Sequence, residues 1–243
     1  MCLAGWRTGQ LDMTDWQGLI FDKDGTLFEF SATWEAWAQA FLLRITDGDR
    51  ARAAHIGTAI GFDFANRKFS EKSVVIAGTP DDVALALAPH FPDLDRDAML
   101  AFIDAEATMA PQVEAVPLVP YLSALRAGGL KLGVATNDSE GAAMAHLHRA
   151  DVVELFDFIA GFDSGHGAKP EAGQLNAFCA QTGCDPSRVA MVGDSTHDLR
   201  AGRAAGMHCI AVLTGMALRA DLAPYADVVL PDIGHIPEWL STH

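Results

Sequence analysis

Leu19-Ile20-Phe21-Asp22-Lys23-Asp24-Gly25-Thr26 is the stretch from which the rest of the chain can be read. Three apolar residues in a row describe a short buried strand, and the polar run behind them is the loop that leaves it. Asp22 and Asp24 are two apart, so in an extended segment both point the same way. Gly25 lets the chain turn sharply behind them. Two acids at a strand end have an ordinary explanation as loop charges or helix caps. They also have a chemical one. A carboxylate can attack a phosphoryl group covalently, and a second carboxyl can protonate the leaving oxygen and later take a proton from water. Asp22 suits the first role and Asp24 the second.

Downstream of Pro117 the hydrophobic rhythm alternates between helix and strand. Leu130–Ala135, Phe156–Ala160, Arg188–Val192, His208–Leu213 and Ala226–Leu230 read as strands. Leu118–Ala127, Glu140–Arg149, Glu171–Thr182 and Thr196–Ala205 read as helices. Short apolar strands alternating with helices predict an α/β fold, a Rossmann-like parallel sheet with helices on both faces. From about Ser31 to Met109 the pattern is helical throughout. Trp34, Trp37, Phe41 and Ile45 recur at three- and four-residue steps, and Asp81–Pro89 and Asp95–Met109 open with capping signals. The first strand belongs to the same sheet as the later ones, so the helical stretch is an insertion. Residues 29–112 are expected to form an α-helical cap over the ligand crevice, with 13–28 and 113–243 as the core. Residues 1–12 precede Met13, a natural start, and are expected to be a dispensable tail.

Three further sites follow strand ends. Thr136-Asn137-Asp138 can cap the next helix, and its hydroxyl and amide groups can also bind phosphoryl oxygens. Lys169-Pro170 places a cation where it would neutralise two carboxylates and a transferring phosphoryl group, with Pro170 expected in the first turn of a helix. Gly193-Asp194-Ser195-Thr196-His197-Asp198 sets two acids four apart around a helix start. Capping explains one of them, and the pair with a glycine points to a hard cation. Mg²⁺ takes few protein carboxylates, here the side chains of Asp22 and Asp194 and the backbone carbonyl of Asp24. Asp198 is expected to orient a bound water behind them.

The net charge of −15, with basic residues dispersed, excludes nucleic acid and anionic membrane as bulk partners. No apolar run approaches the roughly 18 residues of a membrane span. Cys2, Cys179, Cys184 and Cys209 have no metal-ligand spacing and fit reduced thiols in a cytoplasmic protein.

With these four sites in this order, the sequence resembles the haloacid dehalogenase superfamily of phosphohydrolases. The motifs are Asp22-Lys23-Asp24-Gly25-Thr26, Thr136, Lys169-Pro170, and Gly193-Asp194-Ser195 through Asp198. The resemblance implies that Asp22 is the nucleophile and Asp24 the acid/base, that Thr136 and Lys169 bind phosphate, and that the last motif holds magnesium. The insertion resembles the helical cap of the phosphoglycolate phosphatase-like branch, which implies a small phosphomonoester as partner and phosphoglycolate as leading substrate. The chain departs from that branch in having Glu29-Phe30-Ser31 after the first motif and Glu171-Ala172-Gly173 after Lys169-Pro170. A sugar phosphomutase and a non-catalytic phosphoryl-binding module are the alternatives on the same fold, as a monomer or homodimer.

Other residues receive plainer readings. Trp34 and Trp37 are expected in the cap core, with one a candidate for the entrance, and His166 and His197 on the polar surface. Arg44, Arg67, Lys68 and Lys72 are solvated cap cations, one of them the candidate for recognising a substrate carboxylate.

Overall fold

The computed structural model describes residues 15–242; the expected tail lies outside the described residues. In chain order the elements are β1 (Gly18–Phe21), α1 (Phe30–Ile45), α2 (Arg50–Gly57), β2 (Phe62–Asp63), β3 (Lys68–Phe69), α3 (Val74–Ala77), α4 (Pro80–Leu87) and α5 (Arg96–Thr108). They continue with α6 (Leu118–Ala127), β4 (Lys131–Ala135), α7 (Glu140–Arg149), β5 (Phe158–Ala160), α8 (Gly173–Thr182), β6 (Val189–Gly193), α9 (Thr196–Ala204), β7 (His208–Val212), α10 (Arg219–Leu222), β8 (Val228–Leu230) and α11 (Ile236–Leu240).

Six strands form one sheet in the order β5-β4-β1-β6-β7-β8, all pairs parallel. β1 lies inside, between β4 and β6, and all four of its residues are buried. This is why it reads as an unbroken apolar run instead of an alternating one. Phe21 is level with Val134 of β4 and with Val192 of β6. The residues just past these three strand ends are therefore neighbours at one edge of the sheet, the place where open α/β sheets bind ligands.

The helical stretch builds its own apolar cluster around α1, with Trp34, Trp37, Phe41 and Leu42 facing Ile56, Val83, Leu87 and Ile103. α6 instead packs through Leu118, Tyr121, Leu122 and Leu125 onto the core cluster under the sheet. The stretch is not helical throughout. A hairpin, β2 with β3, pairs Phe62 with Phe69, with the turn held by Asp63, which accepts from the Ala65 and Asn66 N–H groups. An aspartate binding its own backbone two and three residues on favours a turn over a helix.

The two chain crossings between core and insertion pair with each other: Glu29 N–H donates to Val113 C=O, and Ala115 N–H to Leu27 C=O. α7 reaches across to the end of α5. Ser139 Oγ donates to Asp104, His146 Nε2 to Ala107 C=O at 2.8 Å, and Arg149 to the Thr108 and Ala110 carbonyls. Ala142 of α7 belongs to the cap's apolar cluster. No helix among the described residues is long and apolar enough to cross a membrane. Cys179, Cys184 and Cys209 are free and buried.

Candidate active site

Asp22, Thr136 and Asp194 follow β1, β4 and β6 and are all buried. Lys169 comes from the loop between β5 and α8. Its Nζ lies 2.6 Å from Asp22 Oδ1 and 2.7 Å from Asp198 Oδ1, and donates to Ala135 C=O at 2.7 Å. Asp198 also caps α9, its Oδ2 accepting from the Ser195 N–H and hydroxyl. So the capping role and the site role fall on one side chain, through its two oxygens.

Pro170 is not in the first helical turn. α8 begins at Gly173, and Lys169-Pro170 is a cis peptide in the preceding loop. What holds the lysine loop is Asn137. Its Oδ1 accepts from Lys169 N–H at 2.8 Å, and its Nδ2 donates to the carbonyls of Lys169 and Ala77, each at 2.9 Å. The side-chain amide of Asn137 is thus engaged in joining β4, the lysine loop and the helical insertion. Thr136 Oγ1 accepts from Asp138 N–H at 3.1 Å and keeps its own hydrogen for a ligand.

Oxygens of Asp22, Asp194 and Asp198 lie within 4.8 Å of one another. These three carboxylates share one ammonium, Lys169, leaving a surplus of two negative charges, which one divalent cation would balance. Burial pushes Asp22 up to about 7, with Lys169 pulling it down and Asp198 and Asp24 pushing it further up. Burial also lifts Asp194 well above the carboxylate range, reinforced by Asp198 and Asp22. An all-oxygen, anionic set of this kind fits Mg²⁺. The space around Asp194 is kept by glycines. A Cβ on Gly215 would sit 1.6 Å from Asp194 Oδ2, and one on Gly25 2.5 Å from it, where φ is also +81°. Asp198 belongs to this oxygen cluster, with its two oxygens already on Lys169 and on the Ser195 cap. The Asp24 carboxyl is turned elsewhere.

Asp24 Oδ2 meets Lys23 Nζ at 2.6 Å, whereas Asp24 Oδ1 is buried without a hydrogen-bond partner. Lys23 is fully buried and touches Asp138 Oδ2 at 3.1 Å and His146 Nδ1 at 2.9 Å. Burial alone would lower the lysine, but the two carboxylates hold it above its usual value. Burial and the Lys23 charge push His146 down to about 4. The ring is therefore neutral, accepting from Lys23 at Nδ1 and donating to Ala107 C=O at Nε2. Lys23 and His146 carry no assigned role from the sequence, and Asp138 is expected there only in a helix cap, which Ser139 forms instead. Lys23 stood inside the motif between two acids, but its partners are far away in the chain.

Above these groups lies a cavity of about 60 Å³, lined on the core side by Asp22, Asp24, Thr136, Lys169, Asp194 and His197. His197 thus lines the site instead of the open surface, its pKa lowered chiefly by burial, while His166 is exposed. Trp34 and Trp37 line the cavity from the cap. Arg44, Arg67, Lys68 and Lys72 do not. All four are exposed, with Arg44 paired to Glu106 and Lys68 to Glu35.

Two aspartates on separate lysines and a cluster of carboxylate oxygens thus meet at the C-terminal edge of a parallel sheet, beneath the helical insertion. Residues 16–206 match the haloacid dehalogenase-like hydrolase family, and the chain belongs to it. It is 28% identical over 225 residues to the phosphoglycolate phosphatase of Nitrosospira multiformis, covering 89% of this chain and 92% of that one. It is 28% identical over 204 residues to the N-acetylmuramic acid 6-phosphate phosphatase of Pseudomonas aeruginosa, covering 82% of each. The fold is shared with a haloacid dehalogenase family hydrolase from Deinococcus radiodurans solved with bound phosphate and sodium, at TM-score 0.64 and 22% identity. That match covers 94% of this chain and 96% of the other.

Proposed function

We propose that the protein is a magnesium-dependent phosphatase that hydrolyses a small phosphomonoester through an aspartyl-phosphate on Asp22. Residues 13–28 and 113–243 act as the catalytic core and 29–112 as the cap. The observation that carries this reading is the pair of differently held aspartates. Asp22 is gripped by Lys169 and belongs to the oxygen cluster, whereas Asp24, which lines the cavity, is gripped by Lys23 through one oxygen and has the other buried without a hydrogen-bond partner.

In this mechanism Asp22 attacks phosphorus while Lys169 and the Thr136 hydroxyl hold phosphoryl oxygens. Asp24 delivers its proton to the departing alkoxide, then takes one from the water that attacks the aspartyl-phosphate. Asp22, Asp194 and the Asp24 carbonyl would hold Mg²⁺, with Asp198 behind them. When bound, the ion supplies positive charge to the phosphoryl oxygens and keeps Asp22 ionised. Asn137 and His146 tie the lysine loop and Lys23 to cap carbonyls, so the acid and the phosphate-binding lysine are both fixed with the cap in place.

Phosphoglycolate is the substrate that the resemblance favours and is the reference ester for the test. Phosphate release from a panel of small monoesters, with and without EDTA, should depend on metal and disappear in Asp22→Asn. Wild-type turnover in that variant would refute the covalent route.

A further inference from the structure

The cap wall of the cavity has an unusual composition for an enzyme acting on a charged metabolite. Phe30, Trp34, Trp37, Val83 and Ile103 face the space, and no lysine or arginine of the cap lines it. The cation that lines it is Lys169, already bound to Asp22 and Asp198. The one hydroxyl on the cap side, Thr79, is bound to Asp82 in a capping box. A carboxylate on the leaving group would be buried here without a counter-charge, and burying an unpaired charge is costly. It would also share the space with Asp24.

The wall is not purely apolar, however. The Nε1 atoms of Trp34 and Trp37 are both buried without a hydrogen-bond acceptor, although Trp34 is only 8% exposed and Trp37 2%. Buried indole N–H groups ordinarily find a partner. Trp34 is the one close to the chemistry, its ring centroid 5.5 Å from Lys23 Nζ, which itself holds Asp24. Its partner rings, Phe30 and Trp37, fix its plane at centroid distances of 6.5 and 5.3 Å.

Resting on the phosphatase reading above, we infer that the cap selects the monophosphate of a compact, uncharged, largely apolar alcohol bearing one oxygen acceptor, to which the Trp34 indole N–H donates. The ester's phosphoryl group lies on the core side with Lys169 and Thr136, and its carbon skeleton lies against the aromatic wall. The cavity of about 60 Å³ admits only a small skeleton with the cap in this position.

The test compares butyl phosphate, the nearly isosteric methoxyethyl phosphate, and phosphoglycolate as substrates of the full-length protein with saturating Mg²⁺. Both uncharged esters should exceed phosphoglycolate in kcat/KM by at least about tenfold, since a buried unpaired carboxylate is disfavoured by this much or more. Trp34→Phe keeps the ring and removes the N–H. It should lower the kcat/KM ratio of methoxyethyl to butyl phosphate by about three- to tenfold, the worth of one neutral hydrogen bond. Phosphoglycolate turned over as well as or better than the uncharged esters would overturn the selectivity and leave the phosphatase reading standing. An unchanged ratio in Trp34→Phe would overturn the role of the indole. Failure of the wild type to hydrolyse any of the three would overturn the phosphatase reading and the inference with it.

Discussion

Replacing Lys23 by methionine removes the only cation that touches both Asp24 and Asp138 among the described residues, and does so where no water can compensate. Its ammonium lies 2.6 Å from one carboxylate and 3.1 Å from the other and is fully buried. At an effective dielectric near 20, charges at those separations attract by roughly 6 and 5 kcal/mol. Much of this is offset by the several kcal/mol needed to desolvate each ion. The variant should therefore lose about 3–5 kcal/mol, as measured when one partner of a buried pair is removed. That is less than the usual stability of a domain this size, roughly 5–15 kcal/mol, so the protein stays folded. The loss should depend on pH. Asp138 is already pushed up from 3.8 to about 6 by burial despite Lys23, and without the lysine it rises further. Below about pH 6 the folded acid is protonated with or without the lysine, so the deficit from this group grows only as pH rises above about 6 towards the higher pKa of the variant. Urea unfolding at pH 5 and pH 8 measures this, and phosphate release measures catalysis in parallel. With Asp24 no longer held, kcat should fall by about a hundredfold, the usual effect of a catalytic group displaced by an ångström. The double variant Lys23→Met/Asp138→Asn relieves one orphaned charge and should recover about 2 kcal/mol of stability without recovering kcat. If kcat returned together with stability, Lys23 would be only a structural cation. If Lys23→Met unfolded at the wild-type urea midpoint, the electrostatic account of this cluster would be wrong.

Asp24→Asn should keep the fold and slow turnover by about 10²–10⁴-fold, the range for loss of a general acid, and the slowing should be smaller for esters with acidic leaving groups. Gly215→Ala should resemble Asp194→Ala, because its methyl must displace the Asp194 carboxylate. Both should demand at least about tenfold more Mg²⁺ for half-maximal activity, and unchanged metal titrations would remove Asp194 from the ligand set. Asp157 resists its burial through the Leu132 N–H and the charges of Lys131 and Arg126, which together hold it below its usual value. Asp157→Asn should therefore cost about 1 kcal/mol at pH 7. That gap should close as pH falls through the lowered pKa, so a constant difference between pH 7 and pH 3 would refute the linkage.

The order of strands and helices, and the placement of the four motifs beside strand ends, were legible in the sequence for a simple reason. A parallel sheet buried on both faces demands unbroken apolar strands, and each reactive residue lies within a few positions of such a strand or of the helix start that follows it. Asp22, Asp194, Thr136 and Asp198 could thus be located by local context alone. What those residues touch is a different matter. That the Asn137 side chain holds the backbone of Lys169, 32 residues on, and that α8 begins only at Gly173, past Pro170, follow from contacts that no local pattern carries. The short hairpin inside the cap was hidden because two-residue strands carry too few positions to show a period. Lys23 and His146 are 123 residues apart in the chain, and no periodicity or spacing connects them. Trp34 could be recognised as buried from its helical step, since burial follows from amphipathic spacing. That Trp34 lines a cavity and its indole N–H is left without an acceptor depends on which groups the packed helices place around it, and only the tertiary structure decides that.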